Sequence, residues 1–181
     1  MHTKNKRMKY SILSLLTLFF CASLSTTNIA IAAEQLNFKI PEGYKIANRR
    51  KGKTLSILEM IKTDENLKNW TRMVTIQTFQ NPERFAPEKF INTMAMLSKR
   101  KCGNIHLIPV KNGQQNGFEF SQKILLCQFK DKTKKSVTTN IKAIKGDQLF
   151  HVAQVANRVV LSDTESKFWA IYLRDTIINR E

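Results

Sequence analysis

The stretch KAIKGDQLFHVAQVANRV, residues 142–159, decides the fold of this chain. It contains two runs rich in apolar and β-branched residues, separated by the turn tripeptide Lys145-Gly146-Asp147. Such runs are typical of strands, and a short glycine-containing link joins antiparallel neighbours. The stretch therefore predicts two neighbouring antiparallel strands.

Further strands are predicted on both sides of this pair. Residues 38–62 read as two strands joined by a basic turn, in which Gly52 can take the positive φ that hairpins favour. WTRMVTIQTF, residues 70–79, predicts a strand with one apolar face. Residues 104–110 predict a strand in which Pro109 favours an edge or a bulge. A turn region, KNGQQNG (111–117), leads into the strand GFEFSQKILLCQFK, residues 117–130.

Two helices complete the pattern. Pro87 suits the first turn of a helix that presents Phe90, Met94 and Leu97 on one face, with Ile91 alongside, and Gly103 is its predicted stop.

The second helix opens with the capping box Ser162-x-x-Glu165 and is predicted to run to residue 180. Its apolar face consists of Trp169, Tyr172, Leu173 and Ile177. The element order predicts an α+β fold, a mainly antiparallel sheet flanked by two helices.

The N-terminus resembles a secretory signal peptide. Four cations and no acid occur in the first ten residues, an apolar run of about fifteen residues follows, and Ala30-Ile31-Ala32 forms an A-x-A site. The run is shorter than the ~20 residues that span a bilayer. We expect cleavage between Ala32 and Ala33, removal of Cys21, and a mature domain of residues 33–181 without a transmembrane segment, located in the periplasm or secreted.

The mature cysteines, Cys102 and Cys127, predict a disulfide, because an even count in an oxidising compartment is typical of a bridge. Two alternatives stay open. Cys102 could be a thiolate nucleophile activated by nearby cations, with His106 or His151 as its base. The two cysteines and two histidines could also bind zinc, although their spacing matches no compact zinc pattern. We expect neither a metal nor a cofactor.

Several stretches resemble a family of uncharacterised exported proteins of Gram-negative bacteria. They are N-W-x-x-M-x-T-x-Q from Asn69 to Gln77, the region ending at Cys127, KAIKG, and W-x-x-Y-L from Trp169 to Leu173. The resemblance covers most of the mature chain and implies no catalytic residues. The element order is also similar to the PsbP/Mog1-like fold, which implies a binding or adaptor role.

The chain is strongly basic, with a formal net charge of +16. Three basic segments, residues 49–53, 99–101 and 130–135, could converge into an anion-binding face. If the first and last segments share one end of the sheet, they join seven cations: Arg49, Arg50, Lys51, Lys53, Lys132, Lys134 and Lys135. Aromatic residues are not interleaved with these segments, which argues against single-stranded nucleic acid as a partner.

The sequence contains no Ser-His-Asp order, phosphate loop or paired carboxylate motif. We therefore expect an exported, non-enzymatic binding module whose basic surface meets an anionic membrane surface or an acidic protein. The alternative is a small secreted hydrolase or a thiol-dependent enzyme, with a role in host interaction among its possible functions.

Overall fold

The structure, a computed structural model, describes residues 34–131 and 136–180, which belong to one compact unit. The predicted signal peptide, its cleavage site at Ala32 and Ala33, and Cys21 lie outside the described residues. So do Lys132, Lys134 and Lys135.

The α+β fold is confirmed. Seven antiparallel strands form the main sheet in the order β2-β3-β4-β8-β7-β6-β5, and β1 pairs with β9 in a second, two-stranded sheet. The strands are β1 Glu34–Asn37, β2 Tyr44–Lys51, β3 Leu55–Lys62, β4 Arg72–Gln80, β5 Cys102–Gln115, β6 Phe118–Phe129, β7 Val137–Lys145, β8 Leu149–Asn157 and β9 Ile177–Arg180. The helices are α1 Pro87–Ser98 and α2 Asp163–Asp175.

The helices pack on opposite faces of the main sheet. Strand side chains alternate between faces, so Phe150 and Val152 of β8 pack with Ile91 of α1, whereas Val155 of β8 packs with Trp169 of α2. Because β8 is buried on both faces, its sequence is almost continuously apolar.

The α2 side of the sheet is covered unevenly. Helix α2 packs over β3, β4 and β8, and a separate apolar cluster of Phe118, Phe120, Ile144 and Ile178 lies beneath β9. The part of this face formed by the middle of β6 and the start of β7 is covered by neither element, and Ile124 there is only partly buried.

The predicted extension of the second helix to residue 180 is wrong. Helix α2 ends at Asp175, and Thr176 takes an extended conformation with φ −76° and ψ 102°. Ile177 and Ile178 then pair with β1, and Ile178 is 1% exposed. Pairing with a strand 140 positions or more away in the sequence overrides the helical pattern, and local periodicity cannot reveal such a partner.

Three local predictions at glycines also need correction. Gly52 does not take a positive φ, and the preceding cations belong to β2 rather than to the turn. Gly103 lies inside β5, because α1 already ends at Ser98. Of the two Asn-Gly pairs, only Asn116-Gly117 forms the hairpin turn, with φ of 54° and 82°.

The predicted apolar face of α1 is partly wrong. Ile91 and Ala95 are buried against the sheet, whereas Leu97 is 59% exposed. Pro109 was correctly placed, since β5 is an edge strand and its pairing with β6 shifts between Pro109 and Lys111.

Candidate functional site

The predicted disulfide between Cys102 and Cys127 is present. It joins neighbouring strands β5 and β6, with the two Cα atoms 5.4 Å apart and both side chains buried. Cys102 is the first residue of β5 and lies four residues after the end of α1. Since the sulfurs are bonded to each other, neither cysteine offers a free thiolate or a thiolate ligand for zinc.

The two histidines considered for the zinc site and for the thiolate's base differ in their exposure to solvent. His106 is exposed on β5, whereas His151 on β8 is 3% exposed. Nowhere in residues 34–131 and 136–180 do three metal-binding side chains come together.

His151 lies between a hydroxyl and a carboxylate. Its Nδ1 is 3.1 Å from Thr78 Oγ1, and its Nε2 is 3.2 Å from Glu34 Oε1. This order of groups is similar to that of a hydrolase triad, but the imidazole and carboxylate are both buried, so a substrate cannot reach them.

The Glu34 carboxylate fastens β1 to the main sheet. Its Oε2 accepts the backbone N–H groups of Asp147 and Gln148 at 2.7 and 2.9 Å. A side chain at Gly146 would overlap this carboxylate, so the turn needs glycine there. Burial acts to raise the pKa of Glu34, but the hydrogen bonds from His151 and the turn outweigh it and lower that pKa below its usual value. The arrangement is a structural latch.

Three interior cations, Lys142, Lys123 and Arg72, were not singled out by the sequence. Lys142 is 1% exposed, and its Nζ donates to the carbonyl oxygens of Leu173, Arg174 and Thr176 at 2.8–3.1 Å. It thus satisfies the last carbonyls of α2. Burial lowers the pKa of Lys142 to about 8, so the ammonium is still mostly protonated at neutral pH.

The other interior cations fasten helices to the sheet at their first turns. Lys123 Nζ lies 2.6 Å from Glu88 Oε1 of α1. Arg72 lies 2.9 Å from Glu165 Oε1 of α2 and donates to Asn157 Oδ1 at 2.7 Å. For Arg72 the sequence signal is a cation at a strand position whose neighbours two residues away, Trp70 and Val74, are both apolar. Lys123 and Lys142 each have an apolar neighbour on one side only, Leu125 and Ile144.

The possible convergence of residues 49–53 with Lys132, Lys134 and Lys135 stays a prediction, because these three lysines lie outside the described residues. The pairing registers place Lys51, at the end of β2, level with Ile144 near the end of β7. Ile144 pairs with Phe120 near the start of β6, whereas Lys130 follows the end of β6, so Lys51 and Lys130 lie toward opposite ends of the sheet, about 30 Å apart along the strands. Arg49, Arg50, Lys51 and Lys53 are all exposed.

The structure brings a different pair of basic segments together. Lys101 and Lys130 are adjacent, because the Lys130 N–H donates to the Lys101 carbonyl oxygen at 3.3 Å. We call Lys99, Arg100, Lys101 and Lys130 the cationic end. All four are exposed, and within the described residues no acidic side chain pairs with any of them. The disulfide lies directly beside them and holds their two strands together.

A groove opens on the uncovered part of the α2 side, at the same end of the sheet. It has a volume of about 630 Å³ and is lined by α2, the segment after β8, and strands β5 to β7. We call it the α2 groove. Its walls include Val110, Val159, Val160, Leu161 and Ala170, and its floor includes Ile124, Thr138 and Asn140. Sequence reasoning missed it, because it depends on where α2 stops covering the sheet.

No helix among the described residues has the length and apolar character needed to cross a bilayer. No protein-family model matches the chain, and a search of curated proteins finds no significant match.

Proposed function

We propose that this protein is an exported, non-enzymatic binding module that attaches to anionic membrane surfaces through its cationic end. The observation that carries the proposal is the meeting of residues 99–101 with Lys130 at the disulfide-bonded end of the sheet. These four exposed cations have no acidic partner among residues 34–131 and 136–180, and they produce a positive surface there.

Charge of this size is sufficient for reversible attachment. Each cation close to an anionic bilayer contributes on the order of 1 kcal/mol, and the interaction does not need a deep pocket. Because exposed charges are screened beyond ~8 Å at physiological ionic strength, attachment should weaken steeply as salt is added.

Export is supported by the N-terminal sequence and by the disulfide, since such bridges persist in oxidising compartments. The resemblance to exported proteins of Gram-negative bacteria agrees with this assignment. Mass spectrometry of the native protein should find Ala33 at or within a residue or two of the N-terminus, without an added lipid. An intact Met1 or an acylated Cys21 would contradict export by this route.

The enzymatic alternatives have less support. The thiol-dependent enzyme needs a free cysteine, and the hydrolase needs an accessible base, but Cys102 is bonded to Cys127 and His151 is buried. The experiment below distinguishes an anionic membrane from an acidic protein as the partner.

The test is sedimentation of the purified protein with vesicles of phosphatidylcholine, with and without phosphatidylglycerol. The wild type should sediment only with the anionic vesicles and should be released by salt. The triple variant Lys99→Glu, Lys101→Glu, Lys130→Glu should lose binding. A matched control, Arg49→Glu, Arg50→Glu, Lys51→Glu, makes the same change in net charge at the opposite end of the sheet. This control should keep most of the vesicle binding.

Three results would overturn the proposal. If the wild type ignores anionic vesicles at low salt, the membrane is not the partner. If both triple variants lose binding equally, net charge rather than the cationic end is responsible. Loss in the control alone would assign the site to residues 49–51.

A further inference from the structure

The α2 groove is an apolar cavity that the described part of the chain leaves open. Most of its lining surface is apolar, and its volume of about 630 Å³ falls within the ~300–1,000 Å³ of small-molecule sites. Apolar side chains at its border remain in contact with solvent: Val110 is 49% exposed and Val160 97% exposed. Burying them against an apolar ligand would be favourable.

One end of the groove is polar and positive. Arg158 directly follows β8, and its guanidinium lies 3.8 Å from the centroid of the Trp70 ring, which holds it in place. Thr138, which also lines the groove, pairs with Asn157 next to that arginine. A guanidinium and a nearby hydroxyl are suitable donors for a carboxylate.

The described side chains that line the groove carry positive charge only. Among the described residues that line it, none is acidic, and Arg158 is the cation. It lies at the same end of the sheet as Lys101 and Lys130, whereas Val110 and Ile124 lie farther along the strands. A ligand that matches this order has an anionic head at the cationic end and an apolar tail directed away from it.

We infer that the α2 groove binds a free single-chain anionic amphiphile of the long-chain fatty acid class, its carboxylate at Arg158 and its acyl chain against Val110, Ile124 and Ala170. The inference rests on the proposed function, because the cationic end that attracts an anionic membrane also attracts the free anion. It adds a second, saturable site that a flat electrostatic surface does not have.

Oleate is the probe, used below the concentration at which it forms micelles, with binding followed by isothermal titration calorimetry. The wild type should bind one oleate per chain and should bind oleyl alcohol, which lacks the charge, roughly tenfold more weakly. Arg158→Gln should reduce the affinity for oleate by about tenfold and leave the affinity for oleyl alcohol unchanged.

A matched pair of tryptophan variants locates the site. Ala170 and Ile171 are neighbours on the surface of α2, but Ala170 lines the α2 groove, whereas Ile171 lines a separate cavity near Ile40. Both positions are exposed, so both variants should fold with melting temperatures near that of the wild type. Ala170→Trp should fill the groove and abolish oleate binding, and Ile171→Trp should not.

Failure of this inference is distinguishable from failure of the proposed function. If the wild type shows no saturable oleate binding, or Ile171→Trp blocks it and Ala170→Trp does not, the groove assignment is overturned. Sedimentation of Ala170→Trp with anionic vesicles should remain, because the cationic end is intact in that variant. Oleate binding without vesicle binding would overturn only the membrane proposal.

Discussion

Lys142 and Lys130 show two opposite uses of lysine in one basic chain. The Lys142 ammonium is buried and donates to three carbonyl oxygens at the end of α2. Lys130 is exposed at the cationic end, beside Lys101, without an acidic partner in the described part of the chain. Each interior cation completes the hydrogen bonding of a helix or a strand, whereas the side chains of the cationic end form no ion pair with the described residues.

This difference separates structural from functional charge. A buried cation without partners would be strongly unfavourable, so its partners define its role. An exposed cation contributes little to stability, and a cluster of exposed cations is therefore available for an external anion. Net charge alone does not make this distinction.

The largest effect is expected at Lys142. Lys142→Met keeps the length of the side chain but removes the ammonium that donates to the carbonyl oxygens of Leu173 and Thr176, and we expect a loss of about 3 kcal/mol in the free energy of unfolding. Urea denaturation measures it. The same change at exposed Lys130 should alter stability by less than about 0.5 kcal/mol. Equal stability of Lys142→Met and the wild type would refute the capping role.

Removal of the disulfide tests what holds the cationic end together. The double variant Cys102→Ala, Cys127→Ala should lose roughly 3 kcal/mol, because the bridge closes a separation of 25 residues. Reduction of the wild type should destabilise it to a similar extent. Before reduction, thiol titration of the mature protein should find no reactive thiol, and two reactive thiols would contradict the bridge.

The Glu34 latch predicts a pH dependence. The pKa of Glu34 is lowered in the folded state, so its contribution is present above the unfolded value of 4.5 and is lost as pH falls through the folded pKa. Glu34→Gln should therefore cost about 1–2 kcal/mol at neutral pH and progressively less in acid. Glu42→Gln, at an exposed position, is the control and should show no such convergence. A constant difference between wild type and Glu34→Gln at all pH values would disprove the latch.

The smallest effect on stability is expected at the cationic end. Lys101→Glu together with Lys130→Glu should shift the free energy of unfolding by less than about 0.5 kcal/mol, while vesicle binding falls. Thermal denaturation of the variant and wild type gives the comparison. A large loss of stability would show that these lysines, like the interior cations, stabilise the fold, and would contradict the assignment of the cationic end to binding.

The architecture was largely predictable because its signals are local. Alternation of apolar residues identified the strands, the box formed by Ser162 and Glu165 identified the start of α2, and the cysteine count identified the disulfide. The errors occurred where a distant segment decides the local conformation. The end of α2 depends on pairing between β9 and β1, and Gly103 is in a strand because β6 lies beside it.

The sequence by itself determined the α+β class, the cysteine pair and the large excess of cations, because residue type, spacing and periodicity are properties of the chain alone. Only the tertiary structure decided which cations are interior, which basic segments meet, and where α2 leaves the sheet uncovered. These depend on strand order and register: the β4–β8 pairing joins two halves of the sheet that are far apart in sequence. The side chains that such long-range pairing places together leave no pattern in their own neighbourhoods.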